Sequence, residues 1–324
     1  MGIALCMLPP MPEISPLVSI GDLTVRYGRT EALHGISLAI PRGAIFGFIG
    51  PNGAGKTSTI KVLATLLRPT AGTVRVCGFD VQKNARTVRR KIGYMPDFFG
   101  VYDDLTAEEY LHFFAAAYQI PGGKRATLIA DVLALTDLTG KARSPVDGLS
   151  RGMKQRLGIA RLLLHDPELL LLDEPANGLD PRARIEMREL LKELQSMGKT
   201  ILISSHILHE LAQFCSHIGI LEQGRVVACG PLREIYRTLA LDRAIHVQLA
   251  GPAAPHLEKL RAIVGVVSVE ETPDRLVLRL REGELAPEDL LDAIRATGAR
   301  VRMFQPDALD METAFMRLTE GRTA

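Results

Sequence analysis

The 324-residue chain has only four cysteines, Cys6, Cys77, Cys215 and Cys229, and no two of them form a C-x-x-C pair. That scatter argues against a zinc knuckle and against a disulfide framework, and it fits a reducing compartment. An excess of one charge is also missing: 39 basic against 37 acidic residues leave a formal net charge of +2. A protein that relies on general attraction to nucleic-acid phosphates carries a strongly basic surface, so no nucleic-acid partner is expected. No apolar run reaches the roughly 18–20 residues that a membrane-crossing helix requires. If the chain works at a membrane, something else must anchor it. Its first sixteen residues hold Pro9, Pro10, Pro12 and Pro16 and lack the basic start of a secretory signal. Residues 1–16 are expected to be a flexible tail, with Met7 and Met11 as alternative starts.

What is present points to a large folded core. The length suggests about two domains, and 47% hydrophobic with 23% charged residues is ordinary globular composition. The stretch that organises the chain is Gly50-Pro51-Asn52-Gly53-Ala54-Gly55-Lys56-Thr57-Ser58, which matches G-x-x-x-x-G-K-[ST] without a gap. An apolar run, Ala44-Ile45-Phe46-Gly47-Phe48-Ile49, precedes it as a buried strand would, and residues 58–67 read as a helix stopped by Pro69. Strand, glycine loop and helix together make a phosphate cradle. Backbone N–H groups turn inward, and the helix N-terminus adds partial positive charge. Lys56 would reach the β- and γ-phosphates, and the Thr57 hydroxyl would ligate Mg2+. A chance glycine turn before a helix is the bland alternative.

Ahead of the loop, Val18-Ser19-Ile20, residues 23–27 and residues 36–40 alternate like strands of a small antiparallel sheet. Tyr27 could stack on an adenine ring or simply pack in its strand. After the loop, residues 72–76 and 92–96 read as strands. Thr106 and Glu109 then form a capping box that opens a helix, and the stripe of Leu111, Phe114 and Tyr118, flanked by Tyr110, Phe113 and Ala117, is expected to be core. Residues 125–135 make a second helix and Ser150 caps a third. Leu169-Leu170-Leu171-Leu172 has the continuous apolarity of a strand buried on both faces of a parallel sheet. Helices are read at residues 184–197 and 207–214, and extended segments at 200–204, 218–221 and 225–228, the last two joined by a Gln223-Gly224 turn. Beyond residue 240, strands at 245–249, 266–269, 276–280 and 300–304 alternate with helices at 256–264 and 287–297, followed by a closing helix at 311–318. That β-α-β-β-α-β order is that of a ferredoxin-like unit, which carries no catalytic constellation and reads as a regulatory or dimerising appendage.

The second chemical constellation is Asp173-Glu174, where the leucine strand ends. An Asp there can hold Mg2+ opposite Thr57, and the adjacent carboxylate can orient or deprotonate an attacking water. Read alone, the pair could be no more than a strand end entering solvent.

With both motifs in hand, residues 17–237 resemble the ATP-binding cassette (ABC) ATPases. Leu149-Ser150-Arg151-Gly152-Met153 is similar to the family signature L-S-G-G-Q, Gly178-Leu179-Asp180 matches the loop after the catalytic Glu, and His206 matches the switch histidine. The resemblance implies Glu174 and His206 as catalytic residues and Tyr27 as the adenine-stacking aromatic. It implies that Ser150, Arg151, Gly152 and Met153 bind the ATP of an opposite subunit, with Asp180 in the inter-subunit loop. Two residues depart from the usual signature: Arg151 and Met153 stand for Gly and Gln. Asp97 stands where the family usually has Gln, and joins Thr57 and Asp173 as an expected metal ligand that couples nucleotide to the membrane partner.

The implied fold is an α/β P-loop NTPase with an antiparallel β subdomain and a helical subdomain at about residues 97–165. Residues 17–240 would form the nucleotide-binding domain, and residues 241–324 a small α+β ferredoxin-like domain. The implied activity is hydrolysis of ATP to ADP and phosphate, with ATP and Mg2+ bound in a head-to-tail homodimer, or with a paired ABC subunit. The phrase from Ile92 to Leu111 looks especially like the ABC-2 type exporters, which implies a separate integral-membrane permease and a place on the cytoplasmic face of the cell membrane. Phe98, Phe99, Val101 and Tyr102 would receive that partner, or else form subdomain core. The competing readings are a soluble ABC ATPase in translation or DNA repair, and a P-loop kinase. The first usually brings a second cassette, a coiled coil or zinc motifs; the second leaves Ser150, Gly152 and Asp180 without purpose.

Overall fold

The computed structural model describes residues 15–97, 100, 104–232, 234–235, 243–281 and 285–306. The expected tail through residue 14, the partner-facing Phe98, Phe99, Val101 and Tyr102, and the closing helix at 311–318 lie outside the described residues. The chain divides into two compact units at Pro231/Leu232.

The first unit holds two sheets. Strands β1 (Val18–Tyr27), β2 (Thr30–Ile40), β4 (Ala71–Val76) and β5 (Phe79–Asp80) pair antiparallel in the order β2-β1-β4-β5. The alternation predicts two short strands within residues 18–27, and the structure joins them in one. The register shifts between Ile20 and Leu23, where Asp22 takes φ 50°, so an irregularity interrupts the alternation without ending the strand.

The second sheet has six strands, β3 (Ile45–Ile49), β6 (Ile92–Met95), β7 (Leu169–Asp173), β8 (Thr200–Ser205), β9 (His217–Glu222) and β10 (Arg225–Pro231), ordered β10-β9-β3-β8-β7-β6. All pairs are parallel except the β9–β10 hairpin at the edge. Every residue of β3, β7 and β8 is buried, which is why their central stretches read as apolar runs. Helix α1 (Lys56–Leu63) follows β3. It starts two residues earlier and ends four earlier than the sequence suggested, because Thr65 turns left-handed (φ 61°) well before Pro69. Helix α2 (Ala85–Lys91) leads into β6.

Helices α3 (Ala107–Ala117), α4 (Gly122–Leu135) and α5 (Arg151–Leu163) lie between β6 and β7. The capping box at Thr106 and Glu109 opens α3. The aromatic stripe is not core throughout: Tyr110 and Leu111 are buried, but Phe113 is 48% exposed and Tyr118 37%. The aromatics pack against one another from the core outward, Tyr110 tilted against Phe114 at 4.9 Å and Phe113 edge-on to Phe114 at 5.2 Å between centroids. Helix α6 (Pro181–Ser196) precedes β8, and α7 covers only Leu208–Ala212 of the helix expected at 207–214. Cys77, Cys215 and Cys229 are free thiols; burial pushes Cys77 up to about 11 and raises Cys215 as well.

The second unit is a four-stranded antiparallel sheet of β11 (Arg243–Leu249), β12 (Val266–Glu271), β13 (Leu276–Leu280) and β14 (Val301–Pro306), ordered β12-β13-β11-β14. Helices α8 (Leu257–Arg261) and α9 (Pro287–Ala296) connect its strands. The helix read at 256–264 is shorter than expected, since Ala254–His256 forms a tight 3-10 turn ahead of it and the chain leaves the helix after Arg261. Ile245, Val247, Leu260, Leu278, Leu290 and Ile294 form this unit's own core.

Candidate active site

The parallel strands β3, β7 and β8 run side by side, so the residues that follow them emerge together at their carboxyl ends. This is the edge at which open α/β sheets bind ligands. Gly50 follows β3, Glu174 follows β7 and His206 follows β8. Three stretches that the sequence keeps far apart become one site.

The glycine loop is shaped by close approach. Gly55 caps α1 at φ 104°, and a side chain there would strike Leu33 and the Ala32 carbonyl. A side chain at Gly50 would likewise strike the Leu221 carbonyl. The β9–β10 turn supports the loop from below: Gly224 N–H donates to the Ala54 carbonyl at 3.1 Å, and the Gly224 carbonyl accepts from His34 N–H at 2.9 Å. Pro51, Asn52 and Gly53 lead over the loop's outer side, and Thr57 is exposed at the first turn of α1.

Lys56 is only 6% exposed. Its ammonium donates to the Gly50 carbonyl at 2.6 Å and the Pro51 carbonyl at 3.2 Å, and it stands 3.6 Å from Glu174 Oε1. Burial pulls the Lys56 ammonium below its ordinary pKa, and the charges of Glu174 and Asp173 oppose that pull. The other Glu174 oxygen, Oε2, lies 2.9 Å from His206 Nδ1. An ionised carboxylate only accepts, so this nitrogen carries the proton. Glu174 itself sits at φ 51°, in the left-handed region that side chains rarely occupy.

Asp173 is buried. Its Oδ1 accepts from the Ser204 hydroxyl at 2.6 Å, and the same hydroxyl oxygen accepts from Glu174 N–H at 3.0 Å. Ser204 belongs to no motif of the sequence; its signal there is a serine pair closing an apolar strand immediately before His206. Asn177 is likewise outside the motifs; it turns back on Glu174 (N–H to carbonyl, 3.0 Å) and donates through its amide to Asp97 Oδ1 at 3.4 Å. Asp97 is exposed.

Tyr27, the last residue of β1, is 47% exposed, and its hydroxyl meets Ser58 Oγ at 3.2 Å beside the loop. Ser150 caps α5 by accepting from Met153 N–H at 3.3 Å, leaving Gly152 in the first turn against Ala183. Asp180 caps α6, accepting from Ala183 N–H at 2.9 Å. Arg151 reaches the loop after Glu174: a side chain at Gly178, which sits at φ 67°, would collide with its guanidinium. The signature residues and Asp180 thus meet at Gly178 and Ala183, while Lys56, Glu174, Asp173 and His206 form a separate bonded group.

Thr57 and Asp173 would offer a hydroxyl and a carboxylate, an oxygen-only donor pair of the kind Mg2+ takes with phosphate oxygens. Among the described residues no three His, Cys, Asp or Glu side chains gather as a metal cage. None of the described helices is long and apolar enough to cross a membrane.

Comparison with known proteins points one way. The ABC transporter family model matches residues 33–177. The chain is 34% identical over 318 residues to the Nod factor export ATP-binding protein I of Ralstonia nicotianae, covering 96% of this chain and 97% of that one. It is 33% identical over 299 residues to the linearmycin resistance ATP-binding protein LnrL of Bacillus subtilis, covering 92% and 96%. A solved ATP binding subunit of an ABC transporter superposes with a TM-score of 0.62 at 34% identity, covering 68% of this chain and 92% of the other.

Proposed function

The chain belongs to the ABC transporter family as an ATP-binding subunit, and from that premise we propose how its residues run the ATPase cycle. It hydrolyses ATP to ADP and phosphate and powers a separate membrane-spanning permease, in the export class whose ATP-binding subunits it resembles. Glu174 is the general base. Its carboxylate, held between the Lys56 ammonium and the His206 imidazole, is the observation that carries this assignment. A phosphate entering the loop competes with Glu174 for Lys56, which frees Oε1 to take a proton from water. His206 Nδ1–H keeps the other oxygen directed during that transfer.

Residues 50–58 cradle the phosphates with backbone N–H groups, and Tyr27 stacks on the adenine. Thr57 and Asp173 would hold Mg2+, and Asp97, tied to the Glu174 turn through Asn177, would join them and couple the nucleotide to the permease. When bound there, Mg2+ would supply positive charge to the phosphoryl oxygens. Ser150, Arg151, Gly152 and Met153 at the start of α5 face the ATP of a second subunit, with Asp180 alongside. Two subunits therefore close head to tail on two nucleotides, and the dimer follows ATP by mass action. The working place is the cytoplasmic face of the cell membrane, reached through the permease.

The test is Mg-ATP hydrolysis by purified protein, alone and with its permease, beside Lys56→Ala. Substitution should abolish turnover and weaken nucleotide binding, because no other cation among the described residues meets both the loop carbonyls and Glu174. Turnover retained by Lys56→Ala would remove the loop from the mechanism.

A further inference from the structure

Ser204 is fully buried on β8, in register with Asp173 on one side and Phe48 on the other. One hydroxyl group makes two bonds there. It donates to Asp173 Oδ1 at 2.6 Å and accepts from the backbone N–H of Glu174 at 3.0 Å. A hydroxyl can do both at once; an apolar side chain of similar size can do neither. The two bonded groups are the consecutive acids of the site, and Glu174 is the residue held at φ 51°. That conformation is disfavoured for a side-chain-bearing residue and persists only where its surroundings over-determine it. The Ser204 oxygen bonds the N–H at the fixed end of the N–Cα bond about which this φ turns, so it anchors the peptide from which the Glu174 side chain departs.

We propose that Ser204 is a positioning residue for ATP hydrolysis: through one hydroxyl it orients the Asp173 carboxylate and fixes the backbone turn that aims Glu174 at His206 and Lys56. The proposal rests on the ATPase reading of this site. Ser204 touches no reacting atom and acts only through its two neighbours. The carboxylate bond directs which oxygen of Asp173 faces outward. The N–H bond sets where the Glu174 side chain leaves the chain. Without the hydroxyl, a buried carboxylate oxygen and a part-buried N–H lose this partner together, and both acids can rotate away.

The experiment compares wild type with Ser204→Ala and Ser204→Thr in steady-state ATPase assays with Mg2+ titration, nucleotide binding by a fluorescent ATP analogue, and amide hydrogen exchange at Glu174. Outer-shell partners of this kind are worth roughly 10–100-fold in metal affinity or activity. Ser204→Ala should therefore lose about 10–100-fold in kcat and need more Mg2+ for half-maximal rate, with nucleotide affinity within about three-fold of wild type. Its Glu174 amide should exchange faster while neighbouring strand amides stay protected. Ser204→Thr keeps the hydroxyl and should recover most of kcat. If the added methyl destabilises that variant, the Glu174 amide in Ser204→Ala decides: unchanged protection overturns the proposal. A Ser204→Ala protein with wild-type kcat and Mg2+ dependence also overturns it, as does a kcat loss that Ser204→Thr, folded, shares in full. Wild-type protein that does not hydrolyse Mg-ATP would instead defeat the ATPase reading, and the exchange measurement would still report whether Ser204 holds the turn.

Discussion

Replacing Glu174 by Gln keeps the shape of the side chain and removes its charge, so it separates the work of the carboxylate from its packing. Two consequences follow from the distances. A neutral amide cannot accept a proton from water, and a positioned general base contributes about 10²–10⁴ in rate. At 1.36 kcal/mol per decade that is about 3–5 kcal/mol of lost transition-state stabilisation. Lys56 meanwhile loses a carboxylate 3.6 Å away. At an effective dielectric of about 20 that pair is worth at most about 4–5 kcal/mol. Burial of the ammonium and the remaining charge of Asp173 leave only a part of this for the exchange with phosphate. ATP should bind to Glu174→Gln as well as to wild type or up to about ten-fold more tightly. With hydrolysis stopped, the ATP-bound dimer should accumulate. Phosphate release, titration with a fluorescent nucleotide and sedimentation velocity with and without Mg-ATP read the three effects. Turnover within about three-fold of wild type would refute the assignment of the base. Weakened ATP binding with turnover lost would refute the competition between Glu174 and phosphate for Lys56.

Two further expectations concern the edges of the site and of the helical subdomain. Tyr27→Ala should weaken ATP binding by about 1–3 kcal/mol, the usual range for a base stacked on an aromatic ring, while Tyr27→Phe, losing only the Ser58 bond, should stay within about three-fold; equal affinity in the alanine variant would free Tyr27 of that role. His165 predicts an acid sensitivity in folding. Its Nε2–H donates to the Ile92 carbonyl at 2.8 Å, its ring packs tilted against Tyr118 at 4.4 Å, and burial lowers its pKa more than the Ile92 bond and Asp166 raise it. The unfolded chain then binds a proton that the folded chain refuses, so stability present above about pH 6.5 falls as pH drops below it, by up to about 1.4 kcal/mol per pH unit until the folded pKa is passed. Thermal unfolding from pH 8 to 5 should show this slope, and His165→Asn should flatten it; an unchanged slope assigns the effect elsewhere.

The parallel sheet was legible because a strand buried on both faces has no polar alternation to disguise it: Leu169–Asp173 and Ile45–Ile49 announce themselves. Capping boxes and N-caps were equally plain, since Thr106, Glu109 and Ser150 act through bonds within a single turn. Reading failed where the deciding neighbour lay far along the chain. The stripe on α3 has helical spacing, but periodicity cannot say that α4 and α5 leave Phe113 and Tyr118 at the surface. The early end of α1 depends on a left-handed Thr65, a conformation that the residue type does not advertise. Bulged strand β1 looked like two because a register shift breaks the alternation on which the reading depends.

The site shows the same division at closer range. Lys56, Asp173 and Glu174 stand out from their motifs and His206 from its place in the family's series, and the structure sets the four side by side. Ser204 does not stand out, since a serine near the end of a buried strand has many uses and only the parallel register of β7 and β8 sets it beside Asp173. Arg151 is the complementary case: its departure from the signature was visible, but not its resting place on Gly178. Both residues link parts of the site that the motifs treat as separate, Ser204 by joining the two acids and Arg151 by joining the start of α5 to the loop after Glu174. Motifs single out candidate groups one stretch at a time. The contacts that hold those groups at working angles come from neighbouring strands and helices, and they become visible only when the sheet order brings distant segments side by side.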